Sequence, residues 1–230
     1  MRVGRRVVAV AAAFLASACQ PLSDLGLDRR PVYLADPIDA TTRGRLLASL
    51  DGPGVCPAWL VDNGLSFKAL ADRAESAVCD VRGAGQLVDP PRGDPPLSPA
   101  RPMMACDLAA AFAVWRRQSV EPAARELLGS EVQRIDHLGV YACRGVGDPL
   151  TGRPSAHSKA QAIDIAGFRL ANGRRITVSK DWKGQGPEAA FLRRIRSDAC
   201  RVFGVTLSPD YNAAHADHLH LEAGGGRLCS

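Results

Sequence analysis

The sequence predicts an α+β domain, a small antiparallel sheet with flanking helices, stapled by disulfides. Three observations carry that expectation. Helical and strand-like segments are interspersed without a regular βαβ rhythm. Six cysteines remain once Cys19 is set apart, an even number that fits three disulfides in an oxidising compartment. Asn172-Gly173 lies between two apolar runs, a strong short hairpin signal.

The elements follow in chain order. Arg2, Arg5 and Arg6 precede an apolar run over residues 7–15, and Ala16-Ser17-Ala18 closes it with small residues. That order reads as a secretory signal over 1–18, and the run is too short to cross a bilayer as a helix. Cys19 follows at once and resembles the acylated cysteine of a bacterial lipobox. The expected mature chain therefore starts at a lipid-bearing Cys19 that anchors it to a membrane. Residues 19–52 are turn-rich and aperiodic and read as a tether, with the domain over 53–230.

Within the domain, residues 83–102 are rich in Gly and Pro and read as a long loop. Residues 106–118 read as a helix with Leu108, Phe112 and Trp115 on one face. Residues 121–128 read as a second helix, with Pro122 in its first turn and Gly129 after its end. Residues 132–144 alternate loosely and should hold a strand. Residues 162–170 and 175–179 read as the strands of the Asn-Gly hairpin. Residues 187–203 read as an amphipathic helix, and residues 218–222 as a short alternating strand. Pairing sequence neighbours predicts Cys56–Cys79, Cys106–Cys143 and Cys200–Cys229.

The formal charge of +5 overstates the basic character. Removing residues 1–18 removes three arginines and leaves 26 basic against 24 acidic residues, or +2. That is no nucleic-acid footprint. No Ser-x-x-Lys and no Gly-x-Ser-x-Gly occurs, which excludes two serine-hydrolase mechanisms.

Four of the five histidines fall in two short clusters, and only His137 lies outside them. The first runs from Ser155 through His157 to Asp164. The second is His215-Ala216-Asp217-His218-Leu219-His220. Catalytic zinc takes three N, O or S ligands from the protein and leaves one position open. His157, Asp164 and His220 would make such a set. In a strand, His218 and His220 share a face while Leu219 and Leu221 point to a core.

The first cluster, S-x-H-x-x-A-x-A-x-D, resembles the S-x-H-x-x-G-x-A-x-D signature of zinc D-Ala-D-Ala peptidases. These are related to penicillin-insensitive murein endopeptidases and the hedgehog signalling domain. The H-x-x-H-x-H spacing of the second cluster is similar to the murein endopeptidase ending. The span from about residue 56 to 222 also resembles the bacterial extensin-like protein C-terminus family. The matching features are Cys106 before an Ala-rich helix with Trp115, Tyr141-Ala142-Cys143-Arg144, Gly167-Phe168, Pro209-Asp210-Tyr211-Asn212 and Asp217-His218-x-His220. Two positions depart from the peptidase pattern. Ala160 replaces a glycine, which suits only a backbone that avoids φ > 0. Asp217 stands where the carboxypeptidases have a catalytic glutamate.

The resemblance implies a hedgehog/DD-peptidase-like fold with Zn²⁺ on His157, Asp164 and His220. It implies a zinc peptidase of the bacterial envelope, periplasmic or membrane-anchored, acting on peptidoglycan peptide stems or crosslinks. His218 is expected as general base, with Asp217 orienting it or replacing it. Arg144 and Ser155 are expected to meet substrate, and His215 to line the cleft without ligating. The alternative from another class is a non-catalytic zinc-containing protein that binds murein or serves a structural role in the envelope.

Overall fold

The computed structural model describes residues 30–88, 94–146 and 153–230. The expected signal segment and Cys19 lie outside these residues. Among the described residues, no helix is long and apolar enough to cross a membrane.

The chain opens with helices α1 (Thr42–Ser49) and α2 (Val55–Asp62). Short strands follow: β1 (Ser66–Ala69), β2 (Arg73–Ser76), β3 (Cys79–Val81), β4 (Ala84–Val88), β5 (Leu97–Ser98) and β6 (Met104–Ala105). Next come α3 (Cys106–Trp115), α4 (Glu121–Leu128), β7 (Val132–Gly139), β8 (Gly145–Val146), β9 (Arg153–Pro154), β10 (Ala162–Leu170) and β11 (Arg175–Thr177). The chain ends through α5 (Val178–Asp181), α6 (Pro187–Val202), β12 (Val205–Leu207), β13 (Leu219–Glu222) and β14 (Leu228–Cys229). This is the mixed α+β architecture with small, largely antiparallel sheets that the sequence predicts.

The main sheet has seven strands in the order β14-β12-β13-β10-β7-β5, with β11 also on β10. One edge of β10 is shared. Its first half pairs β13 and its second half pairs β11, while β7 runs along the whole opposite edge. Ile163, Ile165, Phe168 and Leu170 of β10 are fully buried and face the helices. Helix α3 is apolar on every side, and all its residues but Asp107 are buried. An all-round apolar helix belongs at the centre of a core. Trp115 sits there against Phe112, Phe168 and Phe203, and its indole N–H donates to the Ile195 carbonyl at 2.8 Å. α6 covers the same face of the sheet, with the Phe191 ring edge-on to Phe168.

The predicted helices over 106–118 and 121–128 form one continuous rod, joined by a π-helical turn, Arg116–Val120. The wider turn lets Pro122, which has no N–H to donate, sit in the first turn of α4. The strand predicted over 132–144 stops at Gly139. The last hairpin strand ends at Thr177, where Val178 begins a single helical turn.

Three sequence readings are corrected. The stretch 83–102 is no single loop, for it holds β4 and β5. Gly85, a loop signal by composition, is instead required by strand packing. A Cβ there would fall 2.5 Å from the Phe67 ring and 2.6 Å from the Lys68 carbonyl. The stretch 19–52 is no free tether over its described part. Val32, Leu34 and Leu46 are buried, the Trp59 indole donates to the Val32 carbonyl at 2.8 Å, and Arg43 donates to the Gly226 carbonyl at 2.9 Å.

The third correction concerns the disulfides. All six cysteines pair, but as Cys56–Cys106, Cys79–Cys143 and Cys200–Cys229. Neighbour pairing fails for two of the three because loop-closure entropy grows slowly, about 0.6 kcal/mol per doubling of the loop. Proximity in the fold therefore decides. α2 lies on α3 and brings Cys56 and Cys106 to a Cα separation of 6.1 Å. We expect loss of the Cys79–Cys143 bridge (Cys79→Ala with Cys143→Ala) to destabilise the domain by about 4 kcal/mol in the chain-entropy view. Its loop of 64 residues against 29 for Cys200–Cys229 should make it the larger of the two losses by about 0.7 kcal/mol. Denaturant unfolding reads both values, and non-reducing peptide mapping that recovered Cys56–Cys79 would overturn the pairing.

Candidate metal centre

β10 and β13 run antiparallel with Asp164 directly opposite His220. Side chains at opposed positions share a face, so the pair meets on the side of the sheet away from the helices. His157 arrives from a 3₁₀ turn, Ala156–Lys159, placed just before β10. Ser155 caps that turn, its hydroxyl accepting from the His157 N–H at 3.3 Å.

Ala160 ends the turn in the left-handed region, at φ 55°. The requirement that an alanine here avoid positive φ is not met. The residue is fully buried, and its carbonyl accepts from the Ala105 N–H at 2.8 Å, so surrounding structure holds it there. Left-handed backbone costs a non-glycine residue about 1–2 kcal/mol.

Three ligand atoms converge. His157 Nε2 lies 3.3 Å from His220 Nδ1 and 3.2 Å from Asp164 Oδ2, and His220 Nδ1 lies 2.9 Å from Asp164 Oδ1. Together they form the potential metal-holding group that the described residues contain. The ring orientations are fixed from behind. His157 Nδ1 lies 2.8 Å from the Val140 carbonyl, which only accepts, so Nδ1 carries a proton and Nε2 is the atom turned inward. His220 Nε2 lies 3.5 Å from Glu222 Oε2, which leaves Nδ1 facing the centre. Carbonyl and carboxylate partners behind ligand histidines are the usual outer support of a metal site.

The donor set fits zinc. Two imidazole nitrogens and one carboxylate oxygen are donors that zinc, a borderline ion, accepts together. Tetrahedral coordination at bond lengths of ~2.0–2.1 Å places ligands ~3.3 Å apart; the two histidine nitrogens stand 3.3 Å apart, and each lies 2.9–3.2 Å from one oxygen of Asp164, Oδ1 for His220 and Oδ2 for His157.

His218 precedes β13 and stands beside the set. Its Nε2 is 3.5 Å from Asp164 Oδ1 and its Nδ1 is 2.8 Å from Asp217 Oδ1. Asp217 is 61% exposed while His218 is 11% exposed, so the histidine faces the centre and the carboxylate flanks it from solvent. His215 packs its ring at 5.1 Å from His218 and 5.8 Å from His220 and is not among the converging donors. Asn212, whose side chain is 2.7 Å from His215 Nδ1, and the exposed Tyr211, edge-on to the same ring, hold it there. Arg144 is exposed, one residue beyond the bridged Cys143, and lies outside the donor set. His137 is also apart, buried on β7 with Nε2 on the Pro99 carbonyl. Sequence reasoning missed Glu222, Asn212 and the Val140 carbonyl. Glu222 had a signal, since it follows His220 by two in an alternating strand.

The protonation states agree with one buried ion pair. Burial raises the Asp164 carboxyl, but hydrogen bonds from His157 and His220 outweigh it and hold the group well below the ordinary range. Burial lowers the His220 imidazolium, but Asp164 and Glu222 outweigh it and push the ring up to about 9. These two shifts describe one interaction and count once. His215 is pushed down by burial and by its His218 and His220 neighbours.

A pH dependence follows for the metal-free protein. A raised histidine stabilises fully below its unfolded value near 6.5 and loses that contribution as pH rises through about 9. A depressed carboxylate stabilises above its unfolded value near 3.8 and loses it as pH falls. Melting of chelated protein should therefore be highest between roughly pH 4 and 6.5. His220→Ala should flatten the alkaline fall, and an unchanged fall in that variant would refute the ion pair as its source.

No curated protein and no solved structure gives a significant match to the chain. The family described as extensin-like protein C-terminus matches residues 54–230, which includes every donor and histidine just described. With its match over most of the length, the chain belongs to the extensin-like protein C-terminus family.

Proposed function

We propose that this protein is a zinc-dependent peptidase of the bacterial envelope, with a hedgehog/DD-peptidase-like arrangement, acting on the peptide stems or crosslinks of peptidoglycan. The observation that carries the reading is the convergence of His157 Nε2, Asp164 and His220 Nδ1, each oriented from behind, with His218 beside them. Zinc held by these three residues would polarise the scissile carbonyl and acidify a water. His157 and His220 contribute fixed lone pairs, and Asp164 contributes charge that offsets the cation. His218 Nε2 takes the proton of the attacking water and returns it to the leaving amine. Asp217 accepts from His218 Nδ1–H and so keeps Nε2 free for that work. Arg144, exposed near the turn that carries His157, is placed to meet a substrate carboxylate. Export and lipid attachment through Cys19 belong to the same proposal.

The test is incubation of the purified protein with muropeptides, with zinc, with chelator, and with zinc restored. Cleavage that chelation abolishes and zinc restores supports the reading. Zinc uptake without any cleavage would instead favour a murein-binding or structural envelope protein.

A further inference from the structure

The face of β10 that carries Asp164 also carries a second charged feature. Past the irregularity at Ala166, the side chains that face away from the buried Phe168 and Leu170 belong to Gly167 and Arg169. Arg169 is paired with Arg175 of β11 on one edge and with Arg134 of β7 on the other. Three arginines therefore stand side by side across three adjacent strands. The ion pairs of Arg134 and Arg175 with one carboxylate agree with that register. Asp136, opposite Gly167, takes Arg134 Nε at 2.7 Å and the Arg175 guanidinium at 3.6 Å, the latter across β10. A Cβ at Gly167 would fall 2.4 Å from the Ile176 carbonyl, so the glycine admits the close approach of β11.

Like charges in adjacent positions oppose folding unless something offsets them. Asp136 offsets one of the three, which leaves an excess of two positive charges. Arg169 at the centre has its Nε buried with no hydrogen-bond partner among the described residues. A buried charged donor without a partner is costly, and a ligand acceptor would remove that cost. Arginine forks match planar two-oxygen anions.

The distance from the metal-holding residues sets the ligand. Asp164 and Arg169 are five positions apart on one strand, or ~13–16 Å at a rise of ~3.3 Å per residue with one irregularity between. An extended peptide of four to five residues spans that length.

We propose that Arg134, Arg169 and Arg175 form an anion subsite that holds a carboxylate of an extended peptide lying along β10, with its scissile bond at the metal-holding cluster. The position of the scissile bond rests on the peptidase reading, whereas the anion subsite does not. The excess of two charges suits the one or two carboxylates of a peptide rather than a dense polyphosphate. These arginines are positioning residues and touch no reacting atom.

The probes are a soluble muropeptide with free carboxyls and the same molecule with its carboxyls amidated, with inorganic phosphate as competitor. Binding is read by calorimetry on wild type, Arg169→Gln and the more exposed Arg175→Gln, each checked for unchanged melting and zinc content. Each variant should weaken the free-carboxyl probe about 10-fold or more, the scale of one charged hydrogen bond lost. Amidation should weaken wild type by a similar factor and leave the variants no weaker still. Equal binding of both probes to wild type, or variants that bind as wild type does, would overturn the subsite. Displacement by millimolar phosphate would assign it to a phosphate ligand and overturn the carboxylate. If binding follows the arginines while the protein cleaves nothing, the peptidase reading fails and the subsite stands. If cleavage proceeds while binding ignores the arginines, the subsite alone fails.

Discussion

His220→Ala is expected to lower zinc affinity by more than about 100-fold. Removing an outer partner of a metal ligand typically costs about 10–100-fold, and a ligand itself should cost more. Among the described residues, the donors that converge are His157, Asp164 and His220. His215 points its Nδ1 at Asn212, and His218 commits its Nδ1 to Asp217. The variant also leaves Asp164 half-deserted, because two hydrogen-bonded histidines hold its charge in the metal-free state. A fold defect could then imitate metal loss. Asp164→Asn, which keeps the shape and removes the charge, also loses the ion pair's contribution to melting, so zinc affinity in both variants is read only on protein shown to be folded in chelator. Glu222→Gln supplies the calibration, with an expected loss inside the 10–100-fold range. Competition against a chromophoric chelator measures all three. Stoichiometric zinc in His220→Ala at wild-type affinity would sink the donor assignment.

The grouping of His157, Asp164 and His220 was legible in the sequence because each cluster is local. Alternation in HLHLE places His218, His220 and Glu222 to one side and buries Leu219 and Leu221, as the strand does. The helices were legible where apolar periodicity was strong, as over α3 and α6. What was not legible depends on contacts between distant segments. Gly85 reads as a loop residue until Phe67 is found lying across it. Cys56 meets Cys106 only because α2 docks on α3. Val32 and Leu34 show no periodicity, yet α2 and the π-helical turn close over them through Trp59 and Gln118, both of which donate to their carbonyls. The positive φ of Ala160 was hidden because the chain uses alanine where the backbone favours glycine.

Turnover should fall by about 10²-fold or more in His218→Ala, the range for removing a general base, and by clearly less in Asp217→Asn. The warrant is the direction of the chain between them. Asp217 and His218 both precede β13, and only His218 turns inward, with Nε2 3.5 Å from the Asp164 carboxylate of the proposed metal-holding set. Asp217 reaches the cluster only through His218 Nδ1, at 2.8 Å. Its carboxylate is mostly exposed, and a shorter side chain than glutamate would have to bend round the imidazole to reach the attacking water. Its effect is therefore on the orientation and tautomer of His218. A lost orienting partner should lower turnover and leave in place the limb of the pH profile that reports the base. A lost base should abolish that limb of the profile. Both variants must keep zinc for the comparison to count, and metal analysis checks that first. If Asp217→Asn proves the more damaging and erases the basic limb while His218→Ala keeps it, the carboxylate is the base and the loop before β13 closes inward when substrate binds.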